Sequence, residues 1–399
     1  MAVDSRRVSW RQATAAVLLG AFLFNLGQGV LRPTLPLYLQ QTFSTSYWMV
    51  TSIATVFGVG KWVASLPTGY LLPRLARPLM IGGLLLIAFC DLASVMTASY
   101  AVFLGFRALG GVGWAMFGTV ATTLMVDVQA AQRRGRAISL LLMSETLGLL
   151  LGSAASGWLY RSAGVASPFI FEAGCMLVAA VVMASSAVRT TGSTSAVPGV
   201  ARDRPRLRSV LEIPGVRLMG LTSAILIALQ AGVLVFLFPL FLVNRRSASP
   251  ETVGLLVSVM VLGRLLAVWL GGSLSDRAGR MRVLVPGLAA YATLLATLIL
   301  VTHPVVLGLW SFAVGGATGF VAGIPTALVG DQVPVAVRGV AIGWLRTMTD
   351  TGQIAGPLLM GTLADTVDLS APFILGAAAL LVLAWRCCRV APAIPRATA

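Results

Sequence analysis

The chain has 399 residues, of which 57% are hydrophobic and 11% charged, with a net charge of +16 and a mean hydropathy of +0.90. An average soluble protein is about 25% charged, so a water-soluble domain of this size could not cover its surface, and disordered, collagen-like and disulfide-scaffold chains are excluded as well, the last by a cysteine count of 4. The arginines sit in short gaps between apolar runs rather than on one face of a domain, which argues against nucleic-acid binding and leaves an all-α integral membrane protein.

A bilayer core about 30 Å thick needs about 20 apolar residues of helix, and the chain offers twelve such runs. The first, 13–39, follows Arg6, Arg7 and Arg11 as a signal peptide would. Its apolar core is too long for one and no small-residue cleavage site follows, so it reads as a retained helix carrying Asn25, Gln28 and Arg32. Run 47–72 holds Lys61, 78–98 holds Cys90 and Asp91, and 100–126 holds Arg107. Run 136–160 holds Glu145 with Gly148, Gly152 and Gly157, and 167–188 holds Glu172 and Cys175. The stretch 189–214 is the one long polar segment, and its Ser, Thr, Pro and Arg content reads as a basic cytoplasmic linker between halves 1–188 and 215–399. The second half runs through 215–243 (Gln230), 251–274 (Arg264), 281–301, 304–329, 338–362 (Arg346 and Asp350) and 371–386.

His303, the single histidine, precedes Pro304 in a short gap and reads as a solvated loop residue, and Cys387 and Cys388 lack metal-ligand or CxxC spacing. No metal cluster, phosphate-cradling glycine loop or catalytic triad spacing is present, so no metal, cofactor or enzymatic activity is expected. Without a Walker motif, transport driven by ATP on this chain alone is not expected either.

Charge asymmetry orients the runs. With both termini cytoplasmic, twenty-one of the 29 basic residues fall inside, three (Arg161, Arg245 and Arg246) outside, and the rest within runs, as the positive-inside rule requires.

The two halves repeat. At a shift of 204, Asp127 meets Asp331, Arg134-Gly135 meets Arg338-Gly339, and Gly148, Gly152 and Gly157 meet Gly352, Gly356 and Gly361. At a shift of 203, Pro36 meets Pro239, Lys61 meets Arg264, and Arg74 and Arg77 meet Arg277 and Arg280. Duplicated six-helix halves are a transporter architecture with the substrate site between them. The expected fold is therefore twelve transmembrane helices in two pseudo-symmetric six-helix bundles.

The run Gly272-Ser273-Leu274-Ser275-Asp276-Arg277-Ala278-Gly279-Arg280 resembles the cytoplasmic loop motif of the major facilitator superfamily and lies between runs 8 and 9, where that family has it. Its first-half copy, Gly69 to Arg77, keeps the glycine and both arginines but has Pro73 in place of the aspartate. Arg107 to Gly113 resembles the family's RxxxGxG motif, and Gly148, Gly152 and Gly157 its antiporter glycines, with Ser153 where a proline is expected. The resemblance covers nearly the whole chain. It implies a cell-membrane secondary transporter, monomeric, working by alternating access, with runs 1, 4, 7 and 10 lining a central cavity.

Charges within the runs are costly, at least ~2.5–3.5 kcal/mol each on insertion scales, and so point to sites. Arg32, Arg107 and Asp91 lie about seven residues from the outer ends, roughly 10 Å deep, with Glu172 slightly shallower. The resemblance places both arginines in the cavity, beside Asn25, Gln28 and Gln230. The repeat counterparts Val235, Ser311, Leu295 and Gly376 are uncharged. Such a wall suits an amphiphile whose polar head meets Arg32 and Arg107; the alternative is that Asp91 and Glu172 neutralise the arginines structurally. Deeper toward the cytoplasm lie Lys61, Glu145, Arg264 and Asp350. The resemblance pairs Lys61 with Asp350 and Glu145 with Arg264, with Arg346 one turn from Asp350 as a competitor. These are gates that protonation would weaken, or static clasps. The expected function is proton-coupled export of a small lipophilic or amphiphilic compound. Import or facilitated passage of an organic anion, lipid flipping and a transport-dead sensor are the alternatives.

Overall fold

In the computed structural model, residues 2–127, 134–185, 212–333 and 338–390 are described. All but the last few residues of the expected linker lie outside them, as do the side chains of Arg6, Arg7 and Arg11, those of Arg133, Arg134, Arg136 and Arg338, and Arg396. Every regular element among the described residues is helical, as lipid demands of a backbone that has no water to bond with. In chain order these are α1 (Ala2–Phe43), α2 (Tyr47–Met96), α3 (Tyr100–Asp127), α4 (Arg134–Ser162), α5 (Ser167–Ser185), α6 (Pro214–Ala228), a π-helical segment (Leu229–Leu237), α7 (Phe238–Arg246), α8 (Pro250–Ala278), α9 (Arg280–Thr297), a 3-10 turn (Leu298–Leu300), α10 (Pro304–Ala322), α11 (Ile324–Gln332), α12 (Arg338–Thr366) and α13 (Ala371–Val390).

Eleven stretches among the described residues are long and apolar enough to cross a bilayer. The expected run 338–362 is the remaining helix, α12, whose 29 residues include Arg346, Asp350 and Asp365; these charges lower its apolarity below that of its neighbours. Expected runs 2 and 3 are joined as α2, and the turn between them is reduced to a kink where Leu75 leaves helical geometry at φ −127°, ψ 23°. Run 7 is divided by the π-helical segment, where Phe238 N–H bonds to Val233 C=O across five residues. Pro239, which has no N–H to donate, follows directly at the start of α7. Between a third and three-fifths of each crossing stretch is buried. The outward faces carry large apolar residues such as Trp62, Leu66, Trp158, Trp269 and Leu309, the surface a lipid-facing helix presents.

The chain forms two compact units. The first comprises Met1–Ser44, Val56–Pro198 and Ala248–Ser258, and the second Thr45–Thr55, Gly199–Ser247 and Val259–Ala399. Two short helix ends thus group with the other half of the sequence. Glycine explains both: Gly157 of α4 meets the backbone of Pro250 and Glu251 at the start of α8, and Gly361 of α12 meets Trp48 and Thr51 at the start of α2. Ser258 also donates to Leu150 C=O at 3.0 Å, and the Asp365 carboxylate accepts from the N–H groups of Tyr47 and Trp48 at 2.9 and 2.7 Å, capping α2.

Within the first unit α1 lies along α4 and α5. Its core joins Val17, Phe24, Met80, Leu84, Phe117 and Met176, with the rings of Phe24 and Phe117 stacked at 4.8 Å. A Cβ on Gly29 would lie 2.6 Å from Leu149 C=O, and Gly148 and Gly152 face the α1 backbone at Phe22 and Leu26 still more tightly. In the second unit Gly352 and Gly356 of α12 meet Ala224 and Ala228 of α6 in the same way. The repeated glycines are therefore where helix backbones touch.

Gly152→Leu is expected to separate α1 from α4 and to lower the thermal midpoint of the purified protein, overpacking costing about 1–3 kcal/mol or more. Gly105→Ala, where an added Cβ meets nothing within 4 Å, should not lower it and should raise it slightly, a helical glycine costing about 0.5–1 kcal/mol relative to alanine. A second prediction concerns Asp368, between α12 and α13. It accepts from Ser370 N–H at 2.8 Å and pairs with Arg245. The Ser370 bonds first, and Arg245 after them, hold its carboxyl below the ordinary 3.8. A depressed carboxylate stabilises the fold above its unfolded pKa and ceases to as pH falls through the folded one. The melting-point difference between wild type and Asp368→Ala should be constant above about pH 5 and shrink below pH 4, at an amplitude of only about a few tenths of a kcal/mol given solvent screening.

Candidate functional site

Three helices of the first unit bring charged groups into its buried interior. Asp91 of α2 and Glu172 of α5 are 0% exposed and Arg107 of α3 is 5% exposed. Arg107 Nη2 donates to Asp91 Oδ1 and reaches Ser94 Oγ at 3.2 Å, while the Ser94 hydroxyl donates to Cys90 C=O at 2.6 Å. The guanidinium carbon lies 5.6 Å from the Phe103 ring centroid and 5.4 Å from that of Phe169, so aromatic faces also contact the cation. Tyr38 of α1 packs on both rings. Gln28 of α1 donates its amide to Glu172 Oε1. Three atoms of this network, Asp91 Oδ2, Glu172 Oε2 and Arg107 Nε, have no hydrogen-bond partner among the described residues. The repeat counterparts are apolar or nearly so: Leu295 and Ser311 are 0% exposed, and Leu229 fills the space over Gly376.

The other expected residues lie nearer the surface of their helices. Asn25 is half-buried and donates to Ala21 C=O one turn back at 3.0 Å. Arg32 is half-buried, within electrostatic reach of both Glu145 and Glu172. Lys61 places its ammonium 4.2 Å from the centroid of Trp114. In the second unit Gln230 sits in the π-helical segment, and Arg264 faces Tyr291, a fully buried side chain. Arg346 is exposed and Asp350 half-buried on α12. The expected partners Lys61 and Asp350, and Glu145 and Arg264, belong to different units.

The loop motif forms a clasp within the second unit. Arg280, at the start of α9, pairs with Asp276 one turn back. It also donates through Nε to Asp331 of α11 at 3.0 Å and through Nη1 to Ser275 at 2.9 Å. One guanidinium thus ties the end of α8 to the end of α11. Gly279 supplies the turn at φ +99°, a region closed to most side chains; Gly272 and Arg277 are exposed beside it. In the first half Pro73 replaces the aspartate, and Arg77 donates instead to Ala184 C=O at the end of α5.

Sequence reasoning missed Ser94, Tyr38, Phe103 and Phe169 around Arg107, Trp114 under Lys61, and Asp365 at the start of α2. Periodicity could have placed Ser94 one turn beyond Asp91, on the same face as Arg107's partner. The aromatic lining had no local signal.

The family profile of the Major Facilitator Superfamily matches residues 17–221 and 220–398. The chain is 25% identical over 278 residues to the uncharacterized MFS-type transporter YcaD of Escherichia coli strain K12, covering 69% of this chain and 70% of that one. To the same transporter of Salmonella arizonae it is 27% identical over 295 residues, 72% of each. Among solved structures, a variant of the nucleoside transporter NupG superposes with a TM-score of 0.82 at 13% identity, over 94% of this chain and 99% of that one. A D-xylose-proton symporter does so with 0.75 at 17% identity, over 95% and 97%. With its helices, duplicated glycines and loop clasp accounted for and both halves matched, the chain belongs to the Major Facilitator Superfamily.

Proposed function

We propose that this transporter exports a small lipophilic or amphiphilic compound across the cell membrane in exchange for protons, by alternating access, with both termini cytoplasmic. The observation that carries the reading is the internal neutralisation of Arg107. A cation already engaged by Asp91 and enclosed by Phe103 and Phe169 has little to offer an anionic substrate, and a buried ion pair is not readily surrendered. Arg32 is likewise within reach of two acids. This leaves Asn25 in the first unit, and separately Gln230 in the second, as polar side chains for a largely apolar substrate, while Gln28 is held by Glu172. Glu145 in the first unit and Asp350 in the second, with Arg346 one turn from it, are the acids whose protonation would carry coupling. The solved relatives named for nucleosides and D-xylose share the fold at identities too low to pass on a substrate.

Reconstituted into liposomes with an imposed proton gradient, wild type should move lipophilic neutral or cationic dyes against their gradient. Glu145→Gln should move them with no dependence on that gradient; coupling unchanged in the variant removes Glu145 from the mechanism. Thermal stability against a panel of amphiphiles tests the substrate class. A ligand at 100 times its dissociation constant stabilises by about 2.7 kcal/mol, and neutral or cationic lipophiles should do so in wild type and in Arg107→Ala alike. The variant starts from a lower midpoint, because stripping the cation from a buried pair costs about 3–5 kcal/mol. Stabilisation by anions alone, lost in Arg107→Ala, would instead make Arg107 an anion anchor.

A further inference from the structure

The last helix of the second unit carries all its charge on one face. Leu375, Ala378, Val382, Trp385, Arg386 and Arg389 of α13 are exposed, at the three- and four-residue spacing that keeps side chains on one stripe. Leu380, Leu383 and Cys387 are buried on the opposite face. The stripe runs from hydrocarbon to cation. Leu375 to Arg386 spans about 16 Å of helix, and one leaflet of a bilayer core is about 15 Å thick. At its end the Arg389 guanidinium carbon lies 4.0 Å from the centroid of the exposed Trp385 ring. That ring places the cation without supplying an oxygen to its donors. Neither Arg386 nor Arg389 has an ion pair or hydrogen bond among the described residues.

A third cation stands at the same level. α9 packs along α13 with Leu295 over Gly376. The same count of residues from that contact reaches Arg282 near the start of α9 and Arg389 near the end of α13, about 20 Å along each helix. Arg282 is exposed and has no ion pair or hydrogen bond among the described residues either. The acids at this end of the unit are already engaged, Asp276 and Asp331 by Arg280 and Glu212, ahead of α6, elsewhere. Duplication shows that the fold does not require the cluster. At the shift of 204 that brings Phe169 onto Phe373, Trp385, Arg386 and Arg389 meet Val181, Val182 and Ser185, so α5 ends with neither indole nor cation there.

We propose that the end of α13 is a binding site for an anionic phospholipid. An acyl chain lies along Leu375, Ala378 and Val382, the phosphate meets Arg386 and Arg389, and Arg282 of α9 adds to the field that draws it. The hydrocarbon stripe commits the site to a lipid, because a soluble phosphate would gain only the arginines. The lipid belongs to the leaflet on the side of the Arg280 clasp, where α9 begins and α13 ends. The site stands whatever solute the protein moves.

Native mass spectrometry of the purified full chain, titrated in detergent with phosphatidylglycerol or phosphatidylcholine of equal chain length, counts bound lipid directly. Wild type should hold phosphatidylglycerol the more tightly. Arg386→Gln combined with Arg389→Gln should weaken phosphatidylglycerol by about 25-fold, at about fivefold for each arginine near a membrane surface, and leave phosphatidylcholine unchanged. Trp385→Leu keeps both charges but releases Arg389, and should weaken phosphatidylglycerol about threefold. Arg74→Gln, which removes an exposed cation of the first unit, should change nothing. All four positions are exposed, so the core does not depend on them. Equal retention of the two lipids, phosphatidylglycerol binding that survives the double variant, or an equal loss in Arg74→Gln would overturn the proposal. So would displacement of phosphatidylglycerol by an equal concentration of glycerol phosphate, which would make this a site for a soluble anion.

Discussion

A charged side chain in a bilayer has no water to answer it, so whatever neutralises Arg107 must be built into the same bundle. At an insertion cost of at least ~2.5–3.5 kcal/mol, the guanidinium fixes demands on its neighbours. A carboxylate must arrive at the same depth from α2, a hydroxyl one turn further on must accept a second N–H, and rings must cover what remains. Asp91, Ser94, Phe103 and Phe169 meet those demands, and α1 reaches the cluster through Gln28 because Gly27 lets it lie against α5 at Glu172. The packing of the first unit and its electrostatics are thus one problem solved once.

How much of this could be read from the chain follows from which properties are local. The crossing helices were legible because apolarity over about 20 residues is a property of each segment by itself, and the duplicated glycines marked helix contacts because only the absence of a side chain permits such approach. Depth was legible too, since counting residues from a helix end measures it: Arg107 and Asp91 were expected at one level, and they meet. What counting does not supply is azimuth. Which face of α2 carries Asp91 relative to α3, and that Gln28 turns toward Glu172, depend on how whole helices rotate about their axes. The grouping of 45–55 and 248–258 with the other half of the chain was illegible for a similar reason, since a helix that leaves its own bundle at one end looks, in sequence, like any other helix. Charge in α12 even weakened the signal for a helix that is present.

Duplication also shows where the two halves have parted. Arg280 ties Asp276 to Asp331, whereas Arg77, with Pro73 beside it, is left to a backbone carbonyl of α5. A carbonyl carries a partial charge where Asp276 and Asp331 each carry a full one, so the first-half connection is the weaker of the two. The same divergence appears inside the bundles, where the Asp91, Arg107 and Glu172 positions correspond to Leu295, Ser311 and Gly376. At these positions one copy holds its charges in the core and the other at its loop.

The π-helical stretch at Leu229–Leu237 has a mechanical corollary. A π turn holds one residue more than an α turn, so the helix stores a surplus residue between α6 and α7. Relaxing that stretch to α-helical hydrogen bonding would unscrew α6 relative to α7 by about 100° and lengthen the pair by about 1.5 Å. Gln230 lies within the segment and Pro357 of α12 abuts Gly232 inside it. Such a relaxation would act as a screw thread, turning a small axial displacement of one half-helix into a large change in which side chains it presents.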